Sequence, residues 1–273
     1  MARLSLQNPL VTMGQIRSPP SCKDGISKTL EEDLRNCACG LIQASGIILQ
    51  LPQRTMATAQ VLLQRFYYVA SIKQHPIRDV SLGAIFLASK VEETPRAIQD
   101  IINAMDYAIH HQRKLKFQLM TYQGREFYDM REGLIRSEME LLRHSGFNVH
   151  VQLPYALMIN YLKVLTLDSH HELAQKAWSY LNDGLRTPIY VSFDPPTIAC
   201  AVIFLAAREN NIKLPSSPPW YQLFEAQLDE MEVICHHILR LYTRRLDPYL
   251  PLTGTELTEY LEDAETFRNQ LLG

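Results

Sequence analysis

Two short segments constrain this chain more than anything else in it. Phe86-Leu87-Ala88-Ser89-Lys90 in the first half is mirrored by Phe204-Leu205-Ala206-Ala207-Arg208 in the second. Each closes a stretch that is apolar nearly all the way round a helix. The first contains Val80, Leu82, Ala84, Ile85, Phe86 and Leu87; the second contains Ile198, Ala199, Val202, Ile203, Phe204 and Leu205. A helix without a polar face has to be enclosed by other helices. Small residues (Gly83, Ala84 and Ala88; Ala199, Ala201, Ala206 and Ala207) let those neighbours come close. A repeated unit of this kind predicts two similar helical bundles in tandem.

The flanking segments carry helical periodicity. Ala59, Leu62, Leu63, Phe66, Tyr67 and Ala70 follow the spacing of one helix face. Thr29-x-x-Glu32 reads as a capping box at a helix start. Asp79 reads as the cap of a helix from Val80 to about Glu93, and Thr94-Pro95 as the start of the next. A long amphipathic helix is expected over 125–145, closed by Gly146, and Leu153-Pro154 opens the second half. Helices are expected near 154–166, 170–186, 195–210, 219–226 and 229–243, with Asp194-Pro195-Pro196 as a cap followed by prolines. Nowhere does strand-like alternation persist. The expected organisation is a flexible N-terminal arm over 1–26, a first repeat over 27–150, a second over 151–246, and an acidic tail over 247–273. In that tail Leu257, Leu261 and Phe267 allow a short helix, loosely held.

Composition excludes several classes. Apolar residues make up 47% and charged residues 21%, an ordinary globular mix. The formal net charge of −2 argues against a dedicated nucleic-acid binder, which carries a basic face. No apolar run suggests a membrane span, and no apolar segment behind a basic stretch suggests a secretory signal. Five scattered cysteines read as reduced thiols. The pairs His110-His111, His170-His171 and His236-His237 put neighbours on different helix faces, so they do not read as metal ligands. Cys37-x-Cys39 lacks a second ligand pair. With no phosphate-cradling loop and no nucleophile elbow, neither a cofactor nor a catalytic constellation is expected.

Several motifs then point one way. Ala88-Ser89-Lys90-Val91-Glu92-Glu93 resembles the cyclin-box signature at the end of that family's central third helix. Gln64-Arg65-Phe66-Tyr67 resembles the second-helix motif of transcription-type cyclins. Pro195-Pro196-Thr197-Ile198-Ala199-Cys200-Ala201, with Phe204 to Arg208, resembles their second box. Four further segments are similar to cyclin L: residues 41–49, Leu51-Pro52-Gln53, residues 178–187 and Pro218-Pro219-Trp220. The resemblance covers roughly residues 27–245. It implies an all-α fold of two tandem five-helix cyclin boxes and a subunit without enzyme activity. That subunit would pair with a cyclin-dependent protein kinase of the transcription or RNA-processing class, in the nucleus, with no direct contact to nucleic acid. Two features depart from the family. Animal cyclin L proteins carry an arginine/serine-rich tail, where residues 247–273 here are acidic. Cell-cycle cyclins place a tryptophan on their first helix, where this chain has Leu41.

The residues that could carry this function also have plainer readings. Lys90 could simply complement a helix dipole and snorkel to water. Glu138 lies four residues from both Leu134 and Leu142, on the apolar stripe formed with Phe127, Met130 and Leu141. A carboxylate there needs a partner. Arg136 and Arg143 are the local candidates; the resemblance instead pairs Glu138 with Lys90 at the kinase interface. It also implies an apolar ridge of Leu142, Phe147 and Val149, with Val91 beside Lys90, and adds Glu93, which reads equally as an ordinary exposed acid before a helix cap. For Leu142 and Phe147 core packing is an equal alternative. A rival reading is a DNA-binding module like transcription factor IIB, which also has two cyclin-type repeats. That class usually shows a basic face and a zinc ribbon, and neither is visible here.

Overall fold

The computed structural model describes residues 8–122 and 124–272, without the side chains of residues 13, 265 and 267–272. Phe267 therefore lies outside the described side chains. Thirteen α-helices and one 3₁₀ turn are found among the described residues, with no β-strand. The chain divides into two compact units. One comprises Thr12–Val149 with the residues from Leu246 onward, and the other comprises His150–Arg245 with the residues up to Val11.

The first unit begins with two short helices, α1 (Met13–Arg17) and α2 (Pro20–Lys23). They lie in the segment expected as an arm. The Thr12 side chain and Gln15 form a capping box at α1, and Ser21 and Ile26 are buried. Five longer helices follow: α3 (Lys28–Ile48), α4 (Gln53–Tyr67), α5 (Ile77–Val91), α6 (Ile98–Gln112) and α7 (Arg125–His144). Helix α5 packs against α3, α4, α6 and α7. Its residues Val80, Leu82, Ala84, Ile85 and Leu87 are buried, as an all-round apolar helix requires. Helix α4 is more enclosed than its periodicity suggests, and some of its buried polar groups make side-chain bonds. Gln60 Nε2 donates to Cys39 O and Gln43 Oε1, each at 3.1 Å. Thr58 donates to Glu92 at 2.7 Å.

Helix starts differ in detail from the expected caps. The cap of α3 is Ser27, whose hydroxyl accepts from Leu30 N at 3.2 Å, so Thr29 and Glu32 lie inside the helix. Helix α5 starts at Ile77 behind Pro76, and Asp79 sits in its first turn, where Arg78 Nε donates to it at 2.9 Å. Pro95 precedes α6 by three residues rather than opening it. The chain first has to turn out of α5: Glu93 N donates to Lys90 O, Thr94 N to Ser89 O, and Glu93 takes a φ of 54°. This is a Schellman turn, which satisfies carbonyls that a helix end leaves free.

The first unit also holds residues 246–253 and α13 (Gly254–Leu272). Leu250, Leu252 and Leu257 are buried. Arg113, at the end of α6, donates to both carboxylate oxygens of Glu256 at 2.9 and 3.0 Å and to Leu250 O at 3.1 Å. Tyr249 OH donates to Arg113 O, and Arg78 N to Leu252 O. The stretch expected as a loosely held tail is thus strapped to α5 and α6 along its first turn. Burial alone would raise the Glu256 pKa. The Arg113 hydrogen bonds and the amides of Leu252 and Thr253 outweigh it and hold the carboxyl below its ordinary range.

The second unit repeats the plan with shorter pieces: α8 (Tyr155–Val164), α9 (His171–Gly184), α11 (Pro195–Glu209), a 3₁₀ turn at Trp220–Phe224, and α12 (Leu228–Thr243). A one-turn helix, α10 (Ile189–Ser192), was not expected from the sequence; Val11 N donates to its Val191 O at 2.8 Å. Helix α11 is the enclosed one, packed against α8, α9, α12 and the 3₁₀ turn. None of the five cysteines is in a disulfide, and burial pushes the Cys200 thiol up to about 12 and that of Cys235 to about 11. Such thiols are poor nucleophiles. No described helix is long and apolar enough to cross a membrane, and no described cluster of side chains could hold a metal ion.

Candidate docking face on the first repeat

Glycine brings α5 and α7 together. A Cβ at Gly83 would lie 2.8–2.9 Å from the backbone of Ser137 and Glu138, and one at Gly133 would lie 2.8 Å from the Asp79 carboxyl. Side-chain-free backbone at both positions allows this approach. Asp79 faces Gly133 and Gly83 faces Ser137, so the helices run in the same direction and end on the same side of the unit. That register puts the last turn of α5, with Lys90 and Val91, beside the last turns of α7.

There Lys90 Nζ lies 2.8 Å from Glu138 Oε1 and 3.1 Å from Oε2. The same ammonium sits 3.7 Å from the centroid of the Phe86 ring, a cation–π contact. The Lys90 side chain is 48% exposed, and that of Glu138 only 13%. The arginines that could have claimed Glu138 are engaged elsewhere, Arg136 with Glu132 and Arg143 with Glu140. The Phe86 ring under Lys90 and the close crossing at Gly83 give both residues a part in shaping this face, beyond the packing that the sequence pattern predicts. Glu92 has a structural part that its place in the sequence motif does not disclose. It accepts from Thr58 and is paired with Arg54 at 2.5 Å, tying α4 to the end of α5.

The apolar candidates divide. Leu134 and Leu141 are buried, whereas Leu142 and Val149 are half-buried and Val91 is partly exposed. Phe147 is 74% exposed, so core packing does not account for it. Its backbone is also unusual: φ is 62°, following Gly146 at 58°. Phe147 N donates to Leu142 O at 2.9 Å and Gly146 N to Arg143 O, the two bonds of a Schellman turn at the end of α7. A bulky residue in the left-handed region is uncommon and costs local energy. Here it holds an aromatic ring out in solvent. Glu93 occupies the corresponding turn at the end of α5 and is exposed. Leu41 is buried within α3.

Two five-helix repeats around enclosed central helices describe a cyclin fold, and residues 11–148 match the family described as cyclin, N-terminal domain. The chain belongs to the cyclin family. It is 43% identical to cyclin-L2 of Mus musculus over 242 residues, which is 89% of this chain and 46% of that protein. It is 41% identical to human cyclin-L1 over 249 residues, covering 90% and 47%. The chain therefore spans about half the length of the curated relatives it matches. Its fold is also that of chains in two solved complexes. One belongs to the yeast RNA polymerase II CTD kinase CTDK-1 complex, with a TM-score of 0.70, 18% identity, and coverage of 97% of this chain and 86% of that one. The other belongs to yeast TFIIK (Kin28/Ccl1/Tfb3), with a TM-score of 0.57, 18% identity, and coverage of 84% and 95%.

Proposed function

We propose that this chain is the non-catalytic regulatory subunit of a cyclin-dependent protein kinase of the transcription or RNA-processing class, acting in the nucleus. The observation that carries the docking site is Phe147, an aromatic ring held in solvent by a left-handed turn at the end of α7. It stands at the same end of the helix pair as the Lys90–Glu138 ion pair. Lys90, Val91, Glu93, Glu138, Leu142, Phe147 and Val149 form the kinase-binding surface. The relatedness to cyclin L proteins and the fold shared with a chain of the yeast RNA polymerase II CTD kinase complex support the partner class.

In this reading the face engages the mobile helix of the kinase that carries a catalytic glutamate. Docking stabilises the position in which the kinase's own Lys–Glu pair forms. Activation then comes from the difference in affinity for the two kinase states. Phe147 and Leu142 supply apolar area. Lys90, fixed by Glu138 and the Phe86 ring, presents its remaining N–H donor to a backbone carbonyl of the partner. A stable interface of this kind buries on the order of 1,600 Å². The charge of −2 gives no support to a DNA-binding reading.

The test is affinity purification of the chain from cell extract beside Glu138→Ala, assaying kinase activity in the eluate. Wild type should bring down one cyclin-dependent kinase that the variant loses. Equal recovery with both forms would remove Glu138 from the interface. No kinase with either form would remove the proposed partner class.

A further inference from the structure

The second repeat carries a cleft of about 390 Å³ between the end of α11 and the loop that leads into the 3₁₀ turn. Its walls include Phe204, Ile212, Leu214 and Trp220, and Arg208 and Lys213 also line it. Its origin is visible in the repeat. In the first unit the fourth helix, α6, runs from Ile98 to Gln112 and buries Ile101, Ile102 and Met105. In the second unit that place in the order is taken by a single turn, Trp220–Phe224.

Arg208 is the counterpart of Lys90. Its guanidinium carbon lies 5.2 Å from the Phe204 ring centroid, as Lys90 stands over Phe86. The turns beyond them also match, with Asn211 N donating to Arg208 O and Ile212 N to Ala207 O. The carboxylate is what differs. Lys90 has Glu138, whereas neither Arg208 nor Lys213 makes an ion pair or a side-chain hydrogen bond among the described residues. The adjacent Glu209 is turned away, paired with Lys176 at 2.6 Å and bonded by Tyr180. On α12, Cys235 Sγ bonds Ala201 O much as Ser137 lies against Gly83, so the place of Glu138 falls to His236, and Asp229 and Glu230 lie in the first turn of that helix.

We propose that this cleft docks a short peptide segment in which a carboxylate stands beside one large apolar side chain. The apolar side chain would enter against Ile212, Leu214 and Trp220. The carboxylate would take the place at Arg208 that Glu138 fills at Lys90. Arginine on an aromatic face is well suited to this, because its planar fork can bind a carboxylate with two parallel bonds. The volume suits a single anchoring side chain with its neighbours rather than a folded domain.

The experiment selects a phage-displayed random peptide library on the full chain, with counter-selection on Arg208→Glu/Lys213→Glu. Both residues contribute little burial, and circular dichroism confirms that the variant is folded. Enriched peptides should carry Asp or Glu within a few residues of Leu, Phe or Trp. As labelled synthetic peptides they should bind at least about tenfold more weakly to the variant, and more weakly as salt is raised. Failure to enrich, or enrichment of neutral or basic peptides indifferent to the charge reversal, would overturn the proposal. So would a marked preference for a phosphoserine version of the same peptide, which would make the ligand a phosphopeptide. Concentration-dependent self-association abolished by the variant would also overturn it, giving the cleft to a second copy of this chain.

Discussion

The two repeats end their central helices in the same way and then diverge. At the end of α5 and of α11 a cation stands over an aromatic ring, and a Schellman turn passes through a left-handed residue, Glu93 in one and Asn211 in the other. In the first repeat the following helices are full length, Gly83 admits the backbone of α7, and Glu138 neutralises Lys90. In the second, alanine (Ala201) replaces that glycine, the fourth helix is reduced to a turn, and Arg208 has no acid beside it. A duplicated scaffold can thus keep its core geometry and change what it offers to partners through one carboxylate and one shortened helix.

The largest effect that could break this comparison lies in partner binding. If the Lys90–Glu138 pair is desolvated in a kinase interface, Glu138→Ala should cost about 3–5 kcal/mol of affinity, because it leaves a lysine buried and unpaired. In the free chain the Lys90 end of the pair is half exposed and can return to water when the carboxylate is removed, so the same variant should lose no more than about 1 kcal/mol of folding stability. Titration calorimetry beside thermal unfolding separates the two. Arg208→Ala should leave kinase affinity unchanged; an equal loss in both variants would erase the distinction between the repeats.

Next comes the helix crossing. Gly83→Ala should destabilise by about 1–3 kcal/mol despite the better helix propensity of alanine, because the new methyl meets the backbone of α7. The reverse change in the second repeat, Ala201→Gly, should cost only about 1 kcal/mol. Thermal unfolding midpoints that move equally would contradict the difference in packing.

The strap gives a pH-dependent signal confined to the first unit. Glu256 has its pKa lowered in the folded chain. Its contribution is therefore complete above the ordinary carboxylate range and is lost as pH falls through the lower folded value. Arg113→Ala should remove roughly 1–2 kcal/mol at neutral pH, discounted for partial exposure, and flatten the acid limb of the stability curve. An unchanged acid limb would mean that the strap contributes nothing. The smallest effect is at the turns. Glu93→Gly should gain up to about 1 kcal/mol by relieving the left-handed conformation, and Asn211→Gly less, because asparagine tolerates it. If Glu93→Gly also weakens kinase binding, the glutamate is kept there for the partner.

What could be read from the sequence follows these same lines. The enclosed helices α5 and α11 were legible because an all-apolar surface has one structural solution. The long α7 was legible from its periodic stripe, and Glu138 because a carboxylate on that stripe needs an explanation. Helix starts were misplaced where two caps compete: Ser27 precedes Thr29, and Pro76 opens α5 before Asp79 is reached. The strap was missed because Leu250 and Leu252 are anchored by partners far away in sequence, Arg113 and Arg78, which no local pattern shows. The solvent exposure of Phe147 could not be read either, since an aromatic residue after a helix-ending glycine packs inward as readily as outward.

The most direct test of the docking face is hydrogen–deuterium exchange on the chain alone and bound to the kinase recovered with it. Binding should slow exchange at residues 88–93 and 138–149 and leave 204–221 unchanged. Protection confined to 204–221, with none around Lys90 and Phe147, would contradict the assignment and move the kinase interface to the second repeat.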